Sequence, residues 1–236
     1  MTIHDFTVNT AVPPQYADTS QRFPVAYIAG TSDVHPLMNL LAPRFSESCP
    51  PFILTGIDAK DWNTAFSPWP APKLGKNLGP FSGGAPQFLE LLEKEIVPSV
   101  EKAYRTIPTP ENRSLAGYSL AGLFALYALY NSRLFQRIAC ISGSLWYPQW
   151  TDYVQTHTPA VPVSRLYLSL GDAEKKSHSP VMSSVERCTR LALGSLEPYA
   201  PFFETNPGGH FTDVEERIVK GLLFTAAARS KRESGK

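Results

Sequence analysis

Hydrophobic positions in this chain fall into short solid runs separated by longer stretches of helical spacing. Phe23 to Ile28 reads FPVAYI and leads straight into Gly30-Thr31-Ser32, and Phe52 to Ile57 reads FILTGI. Arg113 to Ala116, Ile138 to Ile141, Leu166 to Leu170 and Phe202 to Thr205 are further runs of strand character. Between them, apolar residues recur at the spacing of one helix face from Pro36 to Phe45, Pro86 to Tyr104, Leu123 to Tyr130, Val181 to Leu193 and Val214 to Ala228. Pro98 predicts a break or bend inside the second of these. Strand and helix alternate almost throughout. That predicts an α/β fold, a mostly parallel sheet with helices on both faces and a ligand site beyond the carboxyl ends of the strands.

One stretch follows neither period. Asp58 to Gly84 mixes Trp62, Phe66 and Trp69 with prolines and glycines, and residues 58–84 are expected to form a long loop or lid over a cleft. Other shifts in composition are local, which for 236 residues predicts a single domain over 1–236.

The charge balance narrows the choice of partner. Lys and Arg number 22 against 21 Asp and Glu, a net charge of +1, so neither nucleic acid nor an anionic membrane is expected. No apolar run reaches the roughly 20 residues of a membrane helix. The amino terminus lacks the basic, apolar and small-residue succession of a signal peptide, and a soluble, cytoplasmic protein is expected. Cys49, Cys140 and Cys188 lie far apart without a paired-thiol motif, predicting buried free thiols and no metal site made from them.

Candidate chemistry centres on Ala116 to Gly122, AGYSLAG. Strand precedes this stretch and helix follows it, so Ser119 is placed on a strand-to-helix corner. Such a nucleophile corner demands small residues around the serine because the helix passes close to the strand. Gly117 and Ala121 meet that demand, although Ala121 stands where the motif usually has its last glycine. A nucleophilic serine also needs an imidazole base and a third group that fixes the imidazole tautomer. Of the histidines His4, His35, His157, His178 and His210, only His210 stands in a glycine-flanked loop between the last strand and the closing helix. The acid is expected between serine and histidine in chain order. Gly171-Asp172-Ala173-Glu174-Lys175 offers two carboxylates just past a strand end, and both read equally well as solvated partners of Lys175 and Lys176.

Taken in order, several stretches resemble the putative esterase family of α/β-hydrolases, which includes siderophore esterases (enterochelin, salmochelin and bacillibactin esterases) and, more distantly, esterase D and the mycolyltransferases. They are Val12 to Tyr16 with Phe23 to Ile28, Phe81 to Ala85, Leu115 to Ala128, Ile141 to Tyr147, Leu168 to Gly171 and Gly208 to Val214. The resemblance implies Ser119 as nucleophile, His210 as general base and Glu174, three residues after the strand-ending glycine, as the acid, with Asp172 the alternative. It places one oxyanion amide on Leu120 and the second on the Gly30-Thr31 loop, at Thr31. Ala29 replaces the aspartate usual before that glycine. Ser144 and Trp146 fall where the family has a Ser-Pro-Ser-Leu-Trp-Trp run lining the cleft, with Gly143 and Tyr147 as departures from it.

Tyr118, Trp62 and Phe66 join Ser144 and Trp146 as candidate substrate-binding residues. An aromatic lining would suit aryl or catecholate esters, while each of these rings also reads as core. Lys60, Lys73 and Lys76 would suit an anionic ligand. The implied fold opens on a two-stranded hairpin. About 20 residues precede Phe23, room for one edge strand near Ile3 to Thr10, so the first edge strand is expected to be missing. The implied activity is serine-dependent carboxylic ester hydrolysis through an acyl-enzyme, on a small-molecule ester, with no cofactor and no metal. An acyltransferase of the same fold and a non-catalytic binding module stay open on the sequence.

Overall fold

Strand and helix alternate as expected in the computed structural model, which describes residues 1–73 and 80–227. Eight strands form one sheet: β1 (Thr2–Ile3), β2 (Phe6–Ala11), β3 (Val25–Ala29), β4 (Ile53–Ala59), β5 (Arg113–Tyr118), β6 (Arg137–Ile141), β7 (Arg165–Gly171) and β8 (Phe202–Asn206). Their spatial order is β1-β2-β4-β3-β5-β6-β7-β8. β2 runs antiparallel to both β1 and β4, and every other pairing is parallel. The helices are α1 (Val34–Leu41), α2 (Trp62–Phe66), α3 (Ala85–Leu91), α4 (Val97–Ala103), α5 (Leu120–Asn131), α6 (Trp150–Thr156), α7 (Val185–Leu196) and α8 (Val214–Ala226). Residue 228, the expected end of the last helix, lies outside the described residues.

Central strands covered on both faces read as continuous apolar runs, and β3 is buried at every position. Its Val25, Tyr27 and Ala29 enter the core shared with α3 to α7, and its Ala26 and Ile28 enter the core under α1 and α8. α5 is buried from Leu120 to Tyr130, as a helix apolar on all sides must be. Between α3 and α4 the chain makes a wide π-helical turn at Leu92–Ile96, closed by Val97 N–H on Leu92 O. Pro98 has no N–H to give and its ring would crowd the carbonyl four residues back. The bend expected there takes the form of this widened turn. α6, whose few apolar positions are interrupted by polar ones, carries no clear period in the sequence.

The sheet corrects one expectation. The first edge strand is present: Thr2 pairs with Thr7 and Ile3 with Phe6. His4 takes φ 51°, the sign that two-residue hairpin turns require at their first position. Such a turn consumes so little chain that the whole hairpin fits before β3.

The segment 58–84, expected as a loop or lid, holds short regular pieces among its described residues. Asp61 starts α2 by accepting from the Thr64 N–H (3.1 Å) and the Thr64 hydroxyl (2.8 Å), a side-chain cap that satisfies a free helix-start amide. A short ladder pairs Pro70–Ala71 with Phe81–Ser82. Residues 74–79 of the expected lid, Lys76 among them, lie outside the described residues.

Phe66 is 0% exposed and packs its ring against Trp62, Phe88 and Phe124. It belongs to the core, and the expectation that it binds substrate is wrong. Phe66→Ala is therefore expected to destabilise the protein by about 3–5 kcal/mol, read from denaturant midpoints, while the KM of the folded fraction moves less than about twofold. A large rise in KM at unchanged stability would return Phe66 to the cleft.

Cys49, Cys140 and Cys188 are buried free thiols, and burial pushes the Cys140 thiol up to about 12. Among the described residues no helix is long and apolar enough to cross a membrane.

Candidate active site

β5 delivers Ser119 to the carboxyl edge of the sheet. The backbone there takes φ 60° and ψ −123°, a region sparsely populated for any residue with a side chain. A Cβ at position 117 would stand 2.1 Å from the Ala121 carbonyl oxygen, and one at position 122 would stand 2.9 Å from the Gly117 carbonyl oxygen. Glycine at both places lets helix and strand cross this closely. Three bonds hold the corner: Ser119 N–H donates to Ile141 O (3.0 Å), while Ser144 N–H (3.0 Å) and Leu123 N–H (3.1 Å) donate to Ser119 O.

The Ser119 hydroxyl lies 2.9 Å from His210 Nε2, and His210 Nδ1 lies 2.7 Å from Glu174 Oε2. His210 comes from the loop between β8 and α8, where Gly208 takes φ 89°. Glu174 opens a single 3-10 turn just after β7. Its Oε1 accepts from the Gly171 N–H (2.8 Å) and from Arg217 Nη1 (3.3 Å). Burial works to raise the Glu174 carboxyl, but hydrogen bonds from His210 and the Gly171 amide outweigh it and hold the group below its ordinary value. An ionised carboxylate can only accept, so His210 Nδ1 carries the proton and Nε2 is left to accept from the Ser119 hydroxyl. Asp172, weighed as the alternative acid, is exposed, and its Oδ1 accepts from the Gly208 N–H at 2.9 Å. It braces the His210 loop instead of meeting the imidazole.

A cavity of about 270 Å³ opens at the serine. Ser119, Leu120, Ser144, Trp62 and Trp146 line it together with His210 and Glu174, joined by Phe81, Met182, Val185 and Phe211, none of which was among the expected substrate contacts. Ser144 Oγ lies 3.4 Å from Ser119 Oγ. Tyr118 does not line this cleft. Its side chain passes beneath, where the hydroxyl donates to the His210 carbonyl, so its expected substrate contact is corrected to a support of the His210 loop. The reason is strand alternation: Tyr118 packs into the core under α1 and α8, on the face of the sheet away from α5.

Ala29 stands beside Gly117 in the sheet register, which puts the Gly30-Thr31 loop next to the serine corner. Gly30 N–H is committed to Ile57 O (2.8 Å). Thr31 lines a neighbouring cavity of about 300 Å³ that shares Trp62 with the first. Lys60 belongs to neither cavity, and among the described residues no group of three or more His, Cys, Asp and Glu is placed to hold a metal ion.

Residues 2–195, which carry the serine corner and Glu174, match the family model described as "Putative esterase". The chain belongs to that esterase family. The matched stretch ends ahead of His210. An uncharacterised protein of Bacillus subtilis (strain 168), YbbA, is 26% identical over 189 residues, which cover 79% of this chain and 76% of the relative. An IroE-like serine hydrolase from Shewanella oneidensis superposes with a TM-score of 0.73 at 22% identity, over 91% of this chain and 73% of the other. The siderophore hydrolase EstB from Aspergillus nidulans does so with a TM-score of 0.74 at 17% identity, over 93% and 91%. These superpositions establish the shared α/β fold of the esterase. Family membership supports ester hydrolysis as its activity.

Sequence reasoning also missed Arg217 in this esterase. In VEERIVK it reads as one charge on the wet face of an amphipathic helix, yet its side chain is 1% exposed and faces Glu174. No local signal separates it from its charged neighbours Glu215, Glu216 and Lys220.

Proposed function

We propose that the protein hydrolyses small, neutral, aromatic carboxylic esters through an acyl-Ser119 intermediate. The observation that carries this reading is the continuous relay from Ser119 Oγ through His210 to Glu174, at 2.9 Å and 2.7 Å. As Ser119 Oγ forms its bond to the ester carbonyl carbon, the Ser119 proton passes to His210 Nε2 and the carbonyl electron pair moves to oxygen. Leu120 N–H, at the open start of α5, donates to that oxyanion, and Thr31 N–H is assigned as the second donor. The oxyanion then re-forms the carbonyl and expels the alcohol oxygen, which takes the proton from His210. Water repeats the sequence on the acyl-enzyme and restores the serine.

The cleft supports the substrate class. Trp62, Phe81, Trp146 and Phe211 present aromatic surface, and among the described residues lining it the one carboxylate is Glu174, already bonded, with no Lys or Arg. A polyanionic ester would lose its hydration there without a countercharge, whereas a flat neutral ring loses little and gains contact area. Hydrolysis of matched phenyl esters by the purified protein tests this. Neutral benzoate esters are expected to exceed their carboxylate-bearing analogues by at least about tenfold in kcat/KM. A preference for the anionic partner, or for a ferric catecholate ester, would overturn the neutral-substrate reading. No ester turnover and no labelling of Ser119 by a fluorophosphonate would overturn the hydrolase itself.

A further inference from the structure

A buried arginine spans the underside of the site. Arg217 Nη1 donates to Glu174 Oε1 (3.3 Å) and to Ser142 Oγ (3.2 Å) and lies 3.4 Å from the Tyr118 hydroxyl, while Nη2 donates to Pro207 O (2.8 Å). A Cβ at position 171 would stand 3.0 Å from both terminal nitrogens, so Gly171 at the end of β7 makes the room in which the guanidinium lies. The Tyr118 hydroxyl donates in turn to the backbone carbonyl of His210. One cation therefore touches the acid directly, holds the Pro207 carbonyl three residues before the base, and reaches the base through Tyr118.

Resting on the serine-esterase reading, we infer that Arg217, with Tyr118, is a positioning device that sets the protonation and orientation of the Glu174-His210 pair. Its guanidinium is the only cation of a fixed-charge side chain within bonding reach of Glu174 among the described contacts. Glu174 is 4% exposed, and a carboxylate that dry stays ionised only where charge or hydrogen bonds replace its water. Burial keeps the Tyr118 phenol protonated by raising it above its ordinary value, so it remains a donor to His210 O.

The titratable groups facing the pair are few. Arg217 comes from α8 and Tyr118 from β5. Asp172 is turned to Gly208 N–H, and Lys175 is engaged with Glu186 at the surface. The positive charge of Arg217, 3.3 Å from Glu174 Oε1, favours the ionised carboxylate. Its removal makes Glu174 easier to protonate. That change displaces the acidic limb of the kcat/KM profile upward.

The test uses Arg217→Met, Arg217→Lys and Tyr118→Phe in the full-length protein, with p-nitrophenyl acetate and a fluorophosphonate as probes. Arg217→Met is expected to lower kcat by about 100-fold with KM within about twofold, and to move the acidic limb up by about one pH unit. Arg217→Lys should restore the position of the limb but only part of kcat, since an ammonium keeps the charge and loses the planar fork. Tyr118→Phe should lower kcat and the rate of Ser119 labelling by about tenfold at unchanged stability of the rest of the fold.

A structural role alone would lower the melting temperature of Arg217→Met and leave the pH limb of the folded enzyme where it was, and that outcome overturns the inference. If Arg217→Met fails to fold, the other two decide: wild-type kcat and pH limb in both Arg217→Lys and Tyr118→Phe overturn it equally. Wild-type protein that neither turns over the acetate nor takes the label defeats the esterase reading instead, so the two failures are told apart.

Discussion

Ser119→Ala is expected to lower kcat by about 10⁴- to 10⁶-fold while binding and stability stay close to those of the parent, within about 1 kcal/mol. On the proposed mechanism the loss is this large because the hydroxyl is the atom that makes and breaks the covalent bond. Histidine and acid without it have no nucleophile to activate, and the oxyanion donors are left with a slow direct attack by water. The stability change is small because Ser119 projects from the corner into a half-exposed cleft. The contacts it gives up are those to His210 and to Ser144 Oγ. Alanine also inherits the same unfavourable φ of 60°, so the substitution neither relieves nor adds backbone strain. Turnover of p-nitrophenyl acetate and the mass of the fluorophosphonate adduct check this together. An alanine protein that still turns over at the parental rate and takes up label elsewhere would remove Ser119 from the chemistry.

Glu174→Gln is expected to cost about 10²- to 10⁴-fold in kcat with little change in KM, and Asp172→Asn less than about threefold. The amide keeps the volume of the carboxyl but presents a donor as well as an acceptor. His210 can then turn its unprotonated nitrogen toward position 174, which leaves Nε2 protonated and unable to take the serine proton. Asp172 meets the Gly208 N–H, and asparagine retains an oxygen for that bond. Rates measured at saturating and limiting substrate separate the two effects. The reverse ranking would make Asp172 the acid, and near-parental rates in both would mean that the imidazole is held by something other than a carboxylate.

The parts of this molecule that were legible in its sequence are those where one residue type answers one geometric demand. Gly117 and Ala121 announced a close crossing of strand and helix, and the close approach at position 117 shows why a side chain there is intolerable. The glycines before His210 announced a loop able to fold back over the strand ends. The rest depended on information that no local pattern holds. β1 is two residues long, too short for any period to register, and its turn rests on the backbone of His4, an unremarkable residue in print. Phe66 and Trp62 sit on the same five-residue helix, and tertiary packing alone decides that one ring faces Phe124 and the other the cleft. Arg217 was invisible for the same reason: nothing within α8 records that a carboxylate 43 residues earlier would be buried opposite it.

The groups of the site are contributed at widely separated moments of synthesis. Ser119 follows β5, Glu174 follows β7, and His210 and Arg217 follow β8, a strand at the sheet edge with β7 as its neighbour. A nascent chain folding from its amino terminus can build the serine corner, with β3 and β6 on either side of β5, well before the ribosome has made the base or the arginine beneath it. Until the edge strand docks, the serine is an ordinary alcohol. On the proposed mechanism, reactivity toward esters is withheld until the sheet is complete, and labelling of Ser119 becomes a report on whether β8 and α8 have taken their places.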